Sequence, residues 1–350
     1  MSQTQTALVI SEHLGAFKIA QVPIYTPGPG QLLIKIHAVA LNPADWKLQK
    51  SGQVVTKFPA ILGFDRAGEV VEVGEGVLDF RKGDRIATTS GFVENEYQGF
   101  QQYGLADAVF SSKLPTHITY DQAATIPICL GTALSGLYSE FPHGIGLPTP
   151  FIDEGRKAGL GKAIFIIGGA SSVGQFAIQL AKLSGFSTII TTASLTNESF
   201  LTSLGATHVI DRSLGIDSLA ASLSTIKSSG PEIVFDTIIN SSTEQLGFAV
   251  LAHFKQSIFV TADPRPTEFS KTQTSVKISN IYAGAKVPWN ERLFSTLFSK
   301  LYEWLESGDI QPNRVEVLKG GLTSIPEALR RLENNQVSGL KLIARPHETI

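Results

Sequence analysis

Residues 162–185 read KAIFIIGGASSVGQFAIQLAKLSG, and the fold turns on this stretch. After Lys162 the run AIFII is apolar throughout, the pattern of a strand buried on both faces. A glycine-rich turn follows at 168–174. Val173, Phe176, Ala177, Leu180 and Ala181 then recur at helical spacing, and Gly185 marks the stop. Further buried-strand candidates lie at 187–191, 208–210, 232–238 and 257–261, separated by helical stretches such as 244–253. Strand alternating with helix predicts an α/β, doubly wound parallel sheet.

A glycine turn between a buried strand and a helix is the setting that a dinucleotide fingerprint requires. The free N–H groups and positive dipole end of a helix start suit a pyrophosphate. Against G-x-G-x-x-G, Gly169 and Gly174 are the first and third glycines and Ser171 stands at the second; Ala170, Ser172 and Val173 complete the turn. A Cβ at 171 restricts backbone approach, while the Ser171 hydroxyl is a candidate phosphate donor. The bland alternative is a structural turn with no ligand. No Asp or Glu occurs between Glu154 and Glu198, so the second strand lacks the carboxylate that pairs with ribose hydroxyls in NAD sites. Ser194 and Asn197 are candidate partners of a 2′-phosphate instead. Arg212 either pairs with that phosphate, stacks on adenine, or is a solvated surface residue. The expected cofactor is NADPH.

Outward from this unit the pattern changes. Up to about residue 128 the chain reads as short strands with turn punctuation, at 32–40, 68–73 and 85–88, which suggests a barrel-like β domain. After the parallel sheet come a helix over 291–306, a second over 325–333 and a closing strand over 339–344. A length of 350 residues calls for two cores. The expected plan is a β-rich domain over 1–128, a nucleotide-binding domain over 129–288, and a segment over 289–350 that returns to the first.

The bulk properties exclude several classes. A formal net charge of −2 with no basic stripe gives no electrostatic case for nucleic acid or an anionic membrane. The N-terminus lacks a secretory pattern and no apolar stretch approaches the ~20 residues that span a bilayer. Cys129 is the one cysteine, so a disulfide within the chain and a thiolate zinc cage are both excluded. The cytoplasm is expected by elimination.

Several runs carry a resemblance: NPADWK at 42–47, PAILGFDRAGEVVEVG at 59–74, GDR at 83–85, CLGTAL at 129–134 and SLGATHVID at 203–211. Together they resemble the medium-chain dehydrogenase/reductase superfamily. TTASLTN at 191–197, GIGLPTP at 144–150 and VSGLK at 337–341 are similar to its branch of fungal zinc-free enoyl reductases that serve polyketide synthases in trans. The resemblance implies a GroES-like catalytic domain, a six-stranded Rossmann sheet and an active-site cleft between them. Where zinc-dependent relatives carry a Gly-His-Glu run of metal ligands, this chain has Gly63, Phe64 and Asp65, and Asp65 alone cannot hold a catalytic zinc. No metal site is expected. The aspartate-tyrosine pair of many relatives is Asp211 and Arg212 here.

Without a metal to polarise a carbonyl, an activated alkene is the natural target, and the enolate left by hydride addition needs electrostatic support and a proton. By resemblance Lys47 is the leading catalytic candidate, near the nicotinamide; without the motif it would read as a solvated lysine. Asn42 and Asp45 position Lys47 or the nicotinamide ribose, or else serve as turn and cap residues. Thr132 meets cofactor or substrate, or is an N-cap. Tyr282 is a proton donor or a packed pocket wall, and His143 borders the substrate or lies on the surface. Ser338, Gly339 and Lys341 resemble a closing segment that touches the cofactor, although Lys341 also reads as an exposed strand residue. Cys129 reads as an inert core thiol. The expectation is an NADPH-dependent enoyl reductase acting on an α,β-unsaturated thioester or ketone, with a polyketide synthase as a candidate partner and a monomer or homodimer as its form. The alternatives are a quinone or aldehyde reductase of the same fold, and a non-catalytic NADP-binding protein.

Overall fold

A computed structural model describes residues 3–53, 55, 57–89 and 94–350. In chain order the elements begin with β1 (Thr4–Ile10), β2 (Phe17–Pro23), β3 (Gln31–Ala40), α1 (Pro43–Ser51), β4 (Ala60–Ile61), β5 (Asp65–Val73) and β6 (Arg85–Thr89). Next come β7 (Tyr103–Asp107), β8 (Ser111–Lys113), α2 (Tyr120–Ala124), α3 (Pro127–Tyr138), β9 (Ala163–Ile167), α4 (Ser172–Leu183) and β10 (Thr188–Ala193). Then follow α5 (Glu198–Leu204), β11 (His208–Asp211), α6 (Ile216–Ile226), β12 (Ile233–Asp236), α7 (Ser241–Phe254), β13 (Ile258–Thr261), α8 (Glu268–Lys271) and β14 (Lys277–Asn280). The chain closes with α9 (Pro288–Ser307), β15 (Val315–Val317), α10 (Ile325–Glu333) and β16 (Lys341–Ala344). It divides into two compact units, one of residues 1–128, 284–308 and 312–350 and the other of 129–283 and 309–311.

The first unit is β-rich. Its larger sheet runs β15-β16-β3-β5-β6-β8, with β7 also paired to β3, and a smaller sheet runs β2-β1-β4. The last strand, β16, lies antiparallel to β3 through Ile343 opposite Ala40. Breaks in register along β3, at Leu33/Ile34 and Ile36/Ala38, increase the local twist, as bulges do. Ile34, Ile36, Val70, Ile86, Phe100 and Leu342 build the core. Arg66 is wholly buried within this unit; its guanidinium donates to the carbonyls of Leu105 (2.7 Å) and Thr89 (3.3 Å). Burial lowers its pKa to about 10, so it stays charged at neutral pH. Helix α9 buries Phe294, Leu297, Phe298, Leu301 and Leu305 along one stripe, as its periodicity predicts.

The second unit holds the six-stranded sheet β11-β10-β9-β12-β13-β14, every pair of it parallel. The α/β class expected from the sequence is the one observed. Strand order reverses between β9 and β12, and open sheets of this kind bind ligands at that switch point, outside the carboxyl ends of the strands. The fourth strand is shorter than its apolar run predicts. It stops at Asp236 instead of continuing to Ile238, because the Asp236 carboxylate takes the N–H groups of Ile238 and Ile239 and turns the chain out of the sheet. Among the described residues no helix is long and apolar enough to cross a membrane.

Candidate functional site

In the second unit the glycine turn sits at the carboxyl end of β9. Gly168 N–H donates to Thr192 Oγ1 (3.2 Å) and Gly169 N–H to the Thr192 carbonyl (3.1 Å), which fastens the turn to the end of β10. Both fingerprint glycines are forced by packing. A Cβ at 169 would stand 2.2 Å from Thr191 Oγ1, and one at 174 only 2.3 Å from the Gly168 carbonyl oxygen. Ser171 is tolerated because its extended backbone (φ −66°, ψ 157°) lets it cap α4, its Oγ accepting the Gly174 N–H at 2.9 Å.

The Ser171 hydroxyl departs from its expected role. Thr237 Oγ1 has one proton, directed at the carbonyls of Ile167 (2.8 Å) and Gly168 (3.1 Å), so in the 2.9 Å contact between the two hydroxyls Ser171 is the donor. That proton is committed within the turn. Ser171 therefore shapes the cradle, and backbone N–H groups are left to meet a phosphate. Those of Ala170 and Val173 find no acceptor among the described residues. Open N–H groups at the start of a twelve-residue helix fit the pyrophosphate of a nicotinamide dinucleotide.

The other predicted cofactor residues flank this turn. Ser194 follows β10 directly and shares a 2.9 Å hydrogen bond with Thr196. Arg212 follows β11, its N–H donating to the Ala193 carbonyl at 3.0 Å, so the backbone sets it beside Ser194 while its side chain is exposed. Asn197 is 6% exposed, which leaves its amide little access to a ligand. Tyr282 lies two residues past β14 at the same end of the sheet, half-buried, and burial raises its phenol pKa. His143 is half-buried in a segment tied to β14 by the Ser279 hydroxyl, which donates to the Gly144 carbonyl at 2.8 Å. Thr132 sits inside α3, past its first turn, so the N-cap alternative fails. Cys129 is buried.

In the first unit the structure assembles a network that the sequence hinted at only in part. Asn42 precedes α1 and is its hub. Its N–H donates to Asp45 Oδ2 (2.7 Å), its Nδ2 donates to Asp65 Oδ2 (2.9 Å), and its Oδ1 accepts from Lys341 Nζ (2.6 Å). Lys341 Nζ lies 3.7 Å from Asp65 Oδ2, and the Ile128 N–H, in the first turn of α3, donates to Asp65 Oδ1 at 2.6 Å. Asp45 and Asp65 are wholly buried, Asn42 is 5% exposed and Lys341 3%. Lys341 is thus neither an exposed strand residue nor a group open to solvent: its ammonium is the internal counter-charge of the network. Ser338, three residues earlier, is exposed.

Burial pushes the Asp45 carboxyl up to about 7. The Asn42 and Gly63 N–H groups and the Lys341 charge oppose the rise, the Asp65 charge adds to it, and Asp45 Oδ1 makes no hydrogen bond of ordinary geometry among the described residues. Lys47, two residues on, is exposed on α1, with Nζ 5.8 Å from the Trp46 ring centre. Among the described residues no group of three or more His, Cys, Asp or Glu is placed to hold a metal ion.

Residues 28–140 match the alcohol dehydrogenase GroES-like domain, and residues 172–293 match the family described as zinc-binding dehydrogenase. The trans-enoyl reductase ACTTS2 of Alternaria alternata is 30% identical over 359 residues, covering 97% of this chain and 98% of the relative. The trans-enoyl reductase grgB of a Penicillium species is 27% identical over 363 residues, covering 98% of each chain. Among solved structures, CurK enoyl reductase superposes with a TM-score of 0.72 at 22% identity, covering 98% of each chain, a likeness of fold.

Proposed function

The chain belongs to the medium-chain dehydrogenase/reductase superfamily, and on that premise we propose that it is an NADPH-dependent enoyl reductase that works without a metal. Its substrate is an α,β-unsaturated thioester or ketone, and a polyketide synthase is the candidate source of a tethered one. The observation that carries the cofactor half is the open glycine turn at the switch point of the parallel sheet, with Ser194 instead of a carboxylate directly after the second strand. The substrate half is supported by end-to-end similarity to proteins named trans-enoyl reductases.

A bound nicotinamide would supply the hydride. The chain's own residues do the rest. The N–H groups of Ala170 and Val173 hold the pyrophosphate. Ser194 and Arg212, set side by side, take the 2′-phosphate, Arg212 as a charge-assisted donor. In the first unit Asn42 and Asp45 fix the start of α1 and so the placement of Lys47, whose ammonium supports negative charge developing on the substrate oxygen. Tyr282, half-buried at the carboxyl end of the sheet, is the candidate donor of the proton to the enolate carbon. Thr132, by resemblance, and His143, half-buried before the 144–150 loop, are assigned to the substrate.

The test is oxidation of NADPH against a panel of enoyl thioesters, enones, quinones and aldehydes. Turnover of the enoyl thioesters is the expected result. Turnover confined to quinones or aldehydes would move the assignment to that reductase class, and binding of NADPH without turnover of any of them would remove catalysis altogether.

A further inference from the structure

The segment from Asp236 at the end of β12 to Thr243 in α7 adjoins the glycine turn at the switch point, and beyond the Thr237 hydroxyl it has no role in the site described so far. Three observations mark it. Asp236 is 1% exposed, yet its carboxylate is fully engaged: Oδ1 accepts the N–H groups of Ile238 (2.9 Å) and Ile239 (3.4 Å), and Oδ2 accepts the Thr243 hydroxyl (2.9 Å). Ile239 has φ 64°, a left-handed conformation that is an outlier for a β-branched residue and persists only where its surroundings impose it. The two residues between are pressed on the glycine turn. Thr237 bonds Ile167, Gly168 and Ser171 through its hydroxyl, and Ile238, though 39% exposed, places Cδ1 only 2.3 Å from where a Gly168 Cβ would stand.

These pieces form one chain of causes. The buried carboxylate bends the loop through Ile239. The bend sets Ile238 on Gly168, beside Thr237, whose own N–H donates to the Ile167 carbonyl at 3.2 Å. That contact in turn orients the first turn of α4, whose N–H groups are the phosphate cradle. We propose that Asp236 is a positioning residue for the cofactor, acting through the bent 237–239 loop to hold the glycine turn in its phosphate-binding arrangement. This rests on the dinucleotide reading above. It implies that Ile239 stores strain which Asp236 sustains, so a glycine at 239, which adopts φ 64° freely, removes the need for the carboxylate.

The experiment measures NADPH dissociation constants by nucleotide fluorescence, with KM and kcat, for the unaltered chain, Asp236→Ala, Ile239→Gly and the double variant. Asp236→Ala is expected to raise Kd and the KM for NADPH about tenfold while leaving kcat at saturating NADPH within about twofold. Adding Ile239→Gly to it is expected to restore most of the affinity, and urea unfolding of the same four chains separates that rescue from a general gain in stability. Thr237→Val, which removes the hydroxyl that joins Ile167, Gly168 and Ser171 and leaves Asp236 in place, should weaken binding in the same direction and serves if Asp236→Ala does not fold. Undiminished NADPH binding by Asp236→Ala or by Thr237→Val, or an affinity loss that Ile239→Gly does not relieve, overturns the proposal alone. Failure of the unaltered chain to bind NADPH overturns the dinucleotide reading and this one with it.

Discussion

Replacing Asp45 by Asn should flatten the pH dependence of stability. The folded carboxyl titrates at about 7 against a usual value of 3.8, so the folded chain holds this proton more tightly than the unfolded chain does. Folding therefore takes up a proton between those two values. Stability falls as pH rises through that window, and the penalty is complete above pH 7, where it amounts to about 4 kcal/mol. Between pH 5 and pH 8 the expected loss from this one group is about 2–3 kcal/mol. Asparagine mimics the protonated acid: its Oδ1 can still accept the Asn42 N–H, and it carries no charge beside Asp65. Urea unfolding of both chains at pH 5 and pH 8 isolates the effect, because every other titrating group is common to the two. The wild type should lose about 2–3 kcal/mol more than Asp45→Asn across that interval. Equal losses would mean that Asp45 is ionised at pH 5, and the account of the network as one cation serving two competing carboxylates would be wrong.

Gly174→Val should abolish NADPH binding, since its Cβ would stand 2.3 Å from the Gly168 carbonyl oxygen and drive α4 off the turn; fluorescence titration reads it, and retained affinity would refute the packing argument. Ser194→Asp sets a carboxylate beside Arg212 and should move preference from NADPH toward NADH by about tenfold or more, read as the ratio of the two kcat/KM values. Lys47→Ala should lower kcat with enoyl thioesters about a hundredfold while NADPH still binds, checked by turnover and titration together. Leu301→Ala, at a position wholly buried in α9, should cost about 2–5 kcal/mol in urea unfolding with no effect on cofactor affinity.

The parallel sheet was legible because strands buried on both faces carry apolar runs, as in β9, β12 and β13, and because β10, though half threonine, keeps the β-branched residues that strands favour. Helix α1 was not read as a helix: the one residue it buries is Asp45, so it shows no apolar period, and its N-cap signal at Asn42 was open to a turn reading. Strand β2 is largely exposed and carries no alternation to find. Helix α3, ICLGTALSGLY after its proline, is apolar nearly all round and lacks the polar face that marks a surface helix. In the candidate site, the glycine turn and the Ser194–Arg212 flank follow from local pattern. The place of Lys341 does not, because its partner Asn42 is 299 residues away and nothing local distinguishes a buried lysine from a solvated one. Asp236 was hidden for the opposite reason. It lies in an apolar run that looks like uninterrupted strand, and only its hydrogen bonds reveal that it ends one.

The separation between Asn42 and Lys341 also bears on how the polypeptide reaches its native state. During synthesis the hub and both buried carboxylates emerge early, whereas the Lys341 ammonium follows 299 residues after Asn42. Until then Asn42 Oδ1 and Asp65 lack the ammonium that they meet in the folded unit. The unit begun first is therefore completed last, once the intervening parallel sheet has been made.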